Sequence, residues 1–193
     1  PLRGKILNVA NGSSAKLSQN QLLSDLIQAL GVGTGSKYRD DDLRYERVVV
    51  MTDADVDGAH IASLLITFFY QEMPELIENG HLFLAVPPLY KLTHGAKSFY
   101  ATTEKQRDEI IKREFPANAK VEINRFKGLG EMNAQQLKET TMDPKRRMLL
   151  RVEIGEEDRT AIGDAVNALM GSKPEARFRF IQERAAFATD LDI

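Results

Sequence analysis

Three carboxylates at alternate positions, Asp53, Asp55 and Asp57, crowd the segment MTDADVDGAH (51–60), and Gly58 and His60 follow them. In extended chain, alternate side chains point the same way and lie about 6.6 Å apart. Asp53 and Asp55 can therefore reach one divalent ion, or two neighbouring ions, from a common side. Oxygen donors without His or Cys favour Mg²⁺ over a transition metal. Two other readings compete with this one. DADVDG matches the first six positions of an EF-hand loop, but the twelfth position is Leu64 where a bidentate Glu belongs, and a strand precedes the loop where a helix is expected. The aspartates also suit the N-terminus of the following helix. One aspartate caps well; three together repel one another unless a cation intervenes.

Other groups carry weaker chemistry. KGLGE (127–131) reads either as a close approach to a phosphate backbone, with Lys127 supplying charge, or as a tight turn feeding a helix capped by Asn133. GVGTG (31–35) follows a helix rather than a strand, and no GxxxxGK[ST] occurs, so the chain shows no ATP site. His60 falls on the first turn after the acidic triplet, where it is a surface or capping residue or a phosphate contact. Lys145, Arg146 and Arg147, and Arg177 with Arg179, are basic groups of ordinary surface type. No Ser-His-Asp or Cys-His arrangement follows from spacing.

The elements around these residues are readable. Leu22, Leu23, Leu26, Ile27 and Leu30 recur at helical spacing over 18–30, and Gly31 ends the run. RVVVMT (47–52) has the β-branched texture of a strand covered on both faces, so Asp53 stands at its C-terminal end. Ligands bind at that edge of open parallel sheets. Residues 59–79 read as one helix with Ile61, Leu64, Leu65, Phe68 and Phe69 inward, and HLFLAV (81–86) as a second, parallel strand. Beyond Gly95 come an edge strand at 98–103, a helix at 103–115, a strand at 121–126 and helices around 133–141, 156–171 and 174–187. The expected fold is α/β: a Rossmann-like parallel sheet flanked by helices in 1–95, then a mixed, mostly helical region in 96–193.

With 193 residues, 42% hydrophobic and 28% charged, the chain has the composition of a globular protein. No apolar run approaches the roughly 18 residues of a membrane helix. It contains no cysteine, which removes disulfides, thiolate metal sites and Cys nucleophiles, and fits a cytoplasmic setting. The start, PLRGKILNV, reads as a piece of something longer. The net charge of −2 hides an asymmetry. Residues 1–39 carry Arg3, Lys5, Lys16, Lys37 and Arg39 against Asp25, a net of +4, whereas seven acids and two arginines in 40–58 give −5. A basic arm beside an acidic knot suits a polyanion held near a metal ion, or else two solvated faces.

Taken in order, PLRGKILN, MTDADVDGAHI, PPLYKL, RFKGLGEMN and LKETTMDP resemble the B subunit of bacterial type IIA DNA topoisomerases along essentially the whole chain. The short stretch between PPLYKL and RFKGLGEMN, and the tail ARFRFIQERAAFATDLDI, look more like the B subunit of topoisomerase IV than that of gyrase. The resemblance implies a TOPRIM domain with Mg²⁺ held by Asp53 and Asp55, and Asp57 in support. It implies double-stranded DNA contacts at Lys5, Asn8, His60 and Arg177, and a drug-binding neighbourhood at Arg3. It further implies a tyrosine-bearing A subunit as partner in an A2B2 heterotetramer, so none of this chain's five tyrosines is the expected nucleophile. The family's acidic EGDSAGGSAK motif, whose Glu is a metal ligand and general acid, is expected upstream of Pro1, as is the domain that uses ATP. Two rival classes remain: a non-catalytic DNA-binding and assembly module, and a Mg²⁺-dependent hydrolase or primase on the same scaffold.

Overall fold

The structure, a computed structural model, describes residues 1–2, 4–12, 14–155 and 159–187. Arg3 therefore lies outside the described residues. In chain order the elements are α1 (Ser14–Gln19), α2 (Gln21–Leu30), β1 (Val48–Val50), α3 (Val56–Glu72), α4 (Pro74–Glu78), β2 (Leu82–Ala85), β3 (Tyr90–His94), β4 (Lys97–Ala101), α5 (Glu104–Glu114), β5 (Glu122–Arg125), α6 (Ala134–Leu137), β6 (Leu149–Arg151), α7 (Arg159–Met170) and α8 (Pro174–Arg184). The strands form two three-stranded sheets, ordered β1-β2-β6 and β4-β3-β5. The chain divides into two compact units. One holds residues 1–48, 60–82 and the chain from Arg151 on; the other holds 49–59 and 83–150.

In the first unit the leucine period of 18–30 produces α2, but the helix begins later than expected. Asn20 interrupts it, and its side chain accepts a hydrogen bond from Leu23 N at 3.1 Å as the N-cap. Gly31 closes α2 with φ of 85°, the left-handed conformation that favours glycine at this place. The helix expected over 59–79 is broken at Met73, because Pro74 has no N–H to continue the ladder and starts α4 instead. Leu64, Leu65, Phe68 and Phe69 of α3 are buried, and the two phenylalanine rings meet edge to face at 5.3 Å. α7 packs against the short turn Val9–Asn11 and against α8.

A polar tie fixes the loop that follows α2. Tyr38 donates its hydroxyl proton to Asp40 Oδ1 at 2.6 Å. His81 donates from Nδ1 to the Glu46 carbonyl at 2.9 Å and holds Nε2 3.6 Å from Asp40 Oδ2. The Tyr38 bond, followed by those from Asn79 and His81, keeps the Asp40 carboxyl below the usual carboxylate range against the opposing effect of burial. Burial and the same carboxylate push the Tyr38 hydroxyl up.

The second unit contains an antiparallel sheet with β3 at its centre. β3 pairs with β4 from Tyr90↔Ala101 to His94↔Lys97, and with β5 from Tyr90↔Arg125 to Thr93↔Glu122. Tyr90, Leu92, Ala101, Ile110 and Phe115 form its core under α5, which Thr103 caps. The strand at 98–103 is an edge, as expected, and β3 is the central strand it pairs with. Asn133 caps α6 through a reciprocal capping box with Gln136, and a π-turn over Lys138–Met142 follows.

Because Asp40 is more acidic folded than unfolded, its contribution to stability is complete above its unfolded value. It is lost as pH falls through the lower folded value. Acid titration of unfolding free energy is expected to show this loss for the wild type and a flatter acid limb for Asp40→Asn.

Candidate functional site

The acidic loop occupies the turn between β1 and α3, within the second unit. Asp53, Asp55 and Asp57 are all exposed. Asp55 is the residue before α3, and its Oδ1 accepts a hydrogen bond from Gly58 N at 2.6 Å. It therefore caps the helix, as the structural reading of the triplet expected. Asp57 lies in the first helical turn, where the helix dipole favours an anion.

Asp53 is held differently. Its Oδ1 accepts a hydrogen bond from the backbone N–H of Leu129 at 2.7 Å, across 76 residues of sequence. Two glycines make this packing possible. A Cβ on Gly58 would stand 2.0 Å from the Asp53 carbonyl oxygen, and one on Gly128 would stand 2.8 Å from Asp53 Cγ and Oδ1. Gly128 has φ of −165°, extended backbone open to any residue, so close approach rather than conformational freedom accounts for glycine there. The KGLGE turn feeds α6, which Asn133 caps, and it also places a backbone amide against the acidic loop. The link to Asp53 was missed, because no local spacing signals a contact made across 76 residues.

The donor set fits a hard divalent cation. Asp53 and Asp55 each give one oxygen to a backbone N–H, and neither pairs with Lys or Arg among the described residues. Their Oδ2 atoms have no hydrogen-bond partner among those residues. Among the described residues no three Asp, Glu, His or Cys side chains converge as a metal cage, so no third such ligand joins the pair there.

The residues named for DNA contact lie in the first unit. Lys5 and His60 are exposed, His60 on α3. Asn8 and Arg177 meet on the C-terminal turn of α7. Asn8 Nδ2 donates to the Met170 carbonyl at 2.8 Å, and its Oδ1 accepts from Ala10 N at 3.1 Å. Arg177 Nη1 donates to the carbonyls of Leu169, at 3.4 Å, and Gly171. A guanidinium here complements the negative end of the helix.

Comparison with known proteins matches two family models: the Toprim domain over residues 1–87 and the carboxyl terminus of the DNA gyrase B subunit over 118–182. The two matched stretches follow one another along the chain, the Toprim likeness first and the gyrase B likeness second. It is 62% identical to the DNA topoisomerase 4 B subunit of Bartonella bacilliformis over 193 residues, and 62% identical to that of Caulobacter vibrioides over 194, covering 100% of this chain in both cases. The DNA gyrase B subunit of Spiroplasma citri is 45% identical over 197 residues. The chain spans 28% of the length of the two topoisomerase 4 relatives and 30% of the gyrase relative. No helix among the described residues is long and apolar enough to cross a membrane.

The 2.0 Å approach at Gly58 is to backbone, which cannot swing aside. Gly58→Ala is expected to lower stability by about 2–3 kcal/mol in denaturant unfolding, the upper part of the range for overpacking.

Proposed function

We propose that this chain is the Mg²⁺- and DNA-binding half of the cleavage–religation core of a bacterial type IIA topoisomerase, of the kind found in the B subunit of topoisomerase IV. The observation that carries the reading is the Asp53 carboxylate in the turn after β1, oriented by the Leu129 amide and with its second oxygen unpartnered among the described residues. Identity along the whole chain to two topoisomerase 4 B subunits supports the same assignment, and the lower identity to a gyrase B subunit makes gyrase the second choice. Residues 1–95 form the TOPRIM part and 96–193 the region that completes the DNA-cleavage core.

On this reading Asp53 and Asp55 would hold Mg²⁺ together with a Glu upstream. The bound ion supplies Lewis-acid stabilisation of charge on the DNA phosphate and the leaving 3′ oxygen. Lys5, Asn8, His60 and Arg177 hold the sugar-phosphate backbone in register without reading bases. Arg177 uses one nitrogen on α7 and keeps the rest of its five-donor fork for phosphate. The nucleophilic tyrosine comes from the A subunit in an A2B2 heterotetramer. ATP acts through a separate N-terminal domain and drives strand passage for relaxation and decatenation in the cytoplasm.

A second reading draws on the Asp55 cap: the acidic loop only fixes the fold of a non-catalytic DNA-binding and assembly module. Protein-linked DNA breaks made with the A subunit in Mg²⁺ separate the two. Asp53→Asn is expected to reduce breakage at least about a hundred-fold, in line with the several kcal/mol an ion supplies, while melting temperature and DNA affinity hold. Loss of activity in step with loss of stability would favour the module instead. Lys5→Ala is expected to weaken DNA binding alike for all sequences and to reduce the salt slope of log K by about 1.

A further inference from the structure

The structure assigns the KGLG turn (127–130) to the metal centre: Gly128 and the Leu129 amide are positioning groups that hold the Asp53 carboxylate in its ligating orientation. The inference rests on the reading of Asp53 as a Mg²⁺ ligand and adds to it a backbone device from a distant part of the chain. A carboxylate on an exposed loop has several staggered rotamers open to it. Here one N–H···O⁻ bond of 2.7 Å selects among them by engaging Oδ1 and leaving Oδ2 without a partner among the described residues. That selection needs the turn to lie directly on the carboxylate. At Gly128 the Asp53 atoms Cγ, Oδ1 and Oδ2 stand 2.8, 2.8 and 3.1 Å from where a Cβ would be, so any side chain there displaces the ligand itself. Two residues on, a Cβ at Gly130 would meet nothing within 4 Å. The same turn therefore contains a position that must disturb Asp53 and one that cannot.

Lys127 and Glu131 show that the turn is built to hold its shape. Lys127 N donates to Glu131 Oε2 at 2.8 Å, and Glu131 N donates to the Gly128 carbonyl at 3.2 Å. The Leu129 N–H therefore projects from a closed loop, which suits a group whose task is to keep a ligand still. Groups that orient a metal ligand commonly cost ten- to a hundred-fold in metal affinity when lost.

The test is Mn²⁺ binding, read by electron paramagnetic resonance, in the intact B subunit carrying this chain. Wild type, Gly128→Ala, Gly130→Ala, Asp53→Asn and the Gly128→Ala/Asp53→Asn double variant are compared at a temperature where each is folded by circular dichroism. Gly128→Ala is expected to bind at least about tenfold more weakly. Gly130→Ala should bind as wild type, and the double variant no more weakly than Asp53→Asn alone. Wild-type affinity in Gly128→Ala, with Asp53→Asn impaired, overturns the inference and leaves the metal site standing. Equal binding by wild type and Asp53→Asn overturns the metal site itself. If Gly128→Ala fails to fold, the Leu129 amide resonance decides. It should shift on Mg²⁺ addition and in Asp53→Asn, and an amide unmoved by both sinks the proposal.

Discussion

The acidic site depends on one short contact: the backbone of Leu129 donating to the carboxylate of Asp53 at 2.7 Å. Both glycines beside it serve close approach: a Cβ at Gly58 would strike the Asp53 backbone, and one at Gly128 would displace the Asp53 side chain. The choice of partner matters electrostatically. A lysine or arginine paired with Asp53 would orient it too, but would also neutralise the charge that draws in a divalent cation. A backbone amide orients the carboxylate through a dipole and leaves its full negative charge in place. Asp55, bonded to the amide of Gly58, follows the same rule. Both carboxylates are thus fixed without being satisfied.

In the first unit the comparable constraint is the C-terminal turn of α7. Its last carbonyls have no partners within the helix and would otherwise be left to water. Asn8, from the start of the chain, and Arg177, from α8, supply donors to Leu169, Met170 and Gly171. Two residues that the family resemblance named for DNA thereby also anchor the helix to the N-terminal segment and to its successor. A phosphate drawing on the remaining Arg177 donors would act on a side chain whose position α7 has already set, which limits the rotamer entropy lost on binding.

Much of the fold was legible, for reasons that differ by element. The β-branched run before Asp53, the leucine period of α2 and the stop at Gly31 are local signals, and the structure follows them. The apolar period of residues 59–79 runs through Pro74, yet a missing N–H outweighs periodicity there. β3 carries a weaker local signal, because Pro87 and Pro88 precede it closely, although its buried Tyr90 and Leu92 alternate with less buried neighbours. β5 has four exposed residues and is placed by its pairing with β3, a contact between distant parts of the chain. In the site, the spacing of Asp53 and Asp55 was visible in the sequence, but their different fates were not. One caps the adjoining helix and the other meets a turn 76 residues away, and only the first is a local event.

The helix cap and the metal ligand need not exclude each other at Asp55. A carboxylate has two oxygens and about four lone-pair sites, and the bond to Gly58 uses Oδ1 alone. The dipole of α3 offsets part of the repulsion between Asp55 and Asp57 at its N-terminus, and the Leu129 amide offsets part of the burden at Asp53. These partners belong to the chain, so they hold the carboxylates whether or not an ion is bound. A site supported in this way does not need the ion to fold. On the proposed reading, the ion's affinity would then be set by the two oxygens left unpartnered among the described residues and by whatever ligands join them, including the phosphate on which it would act.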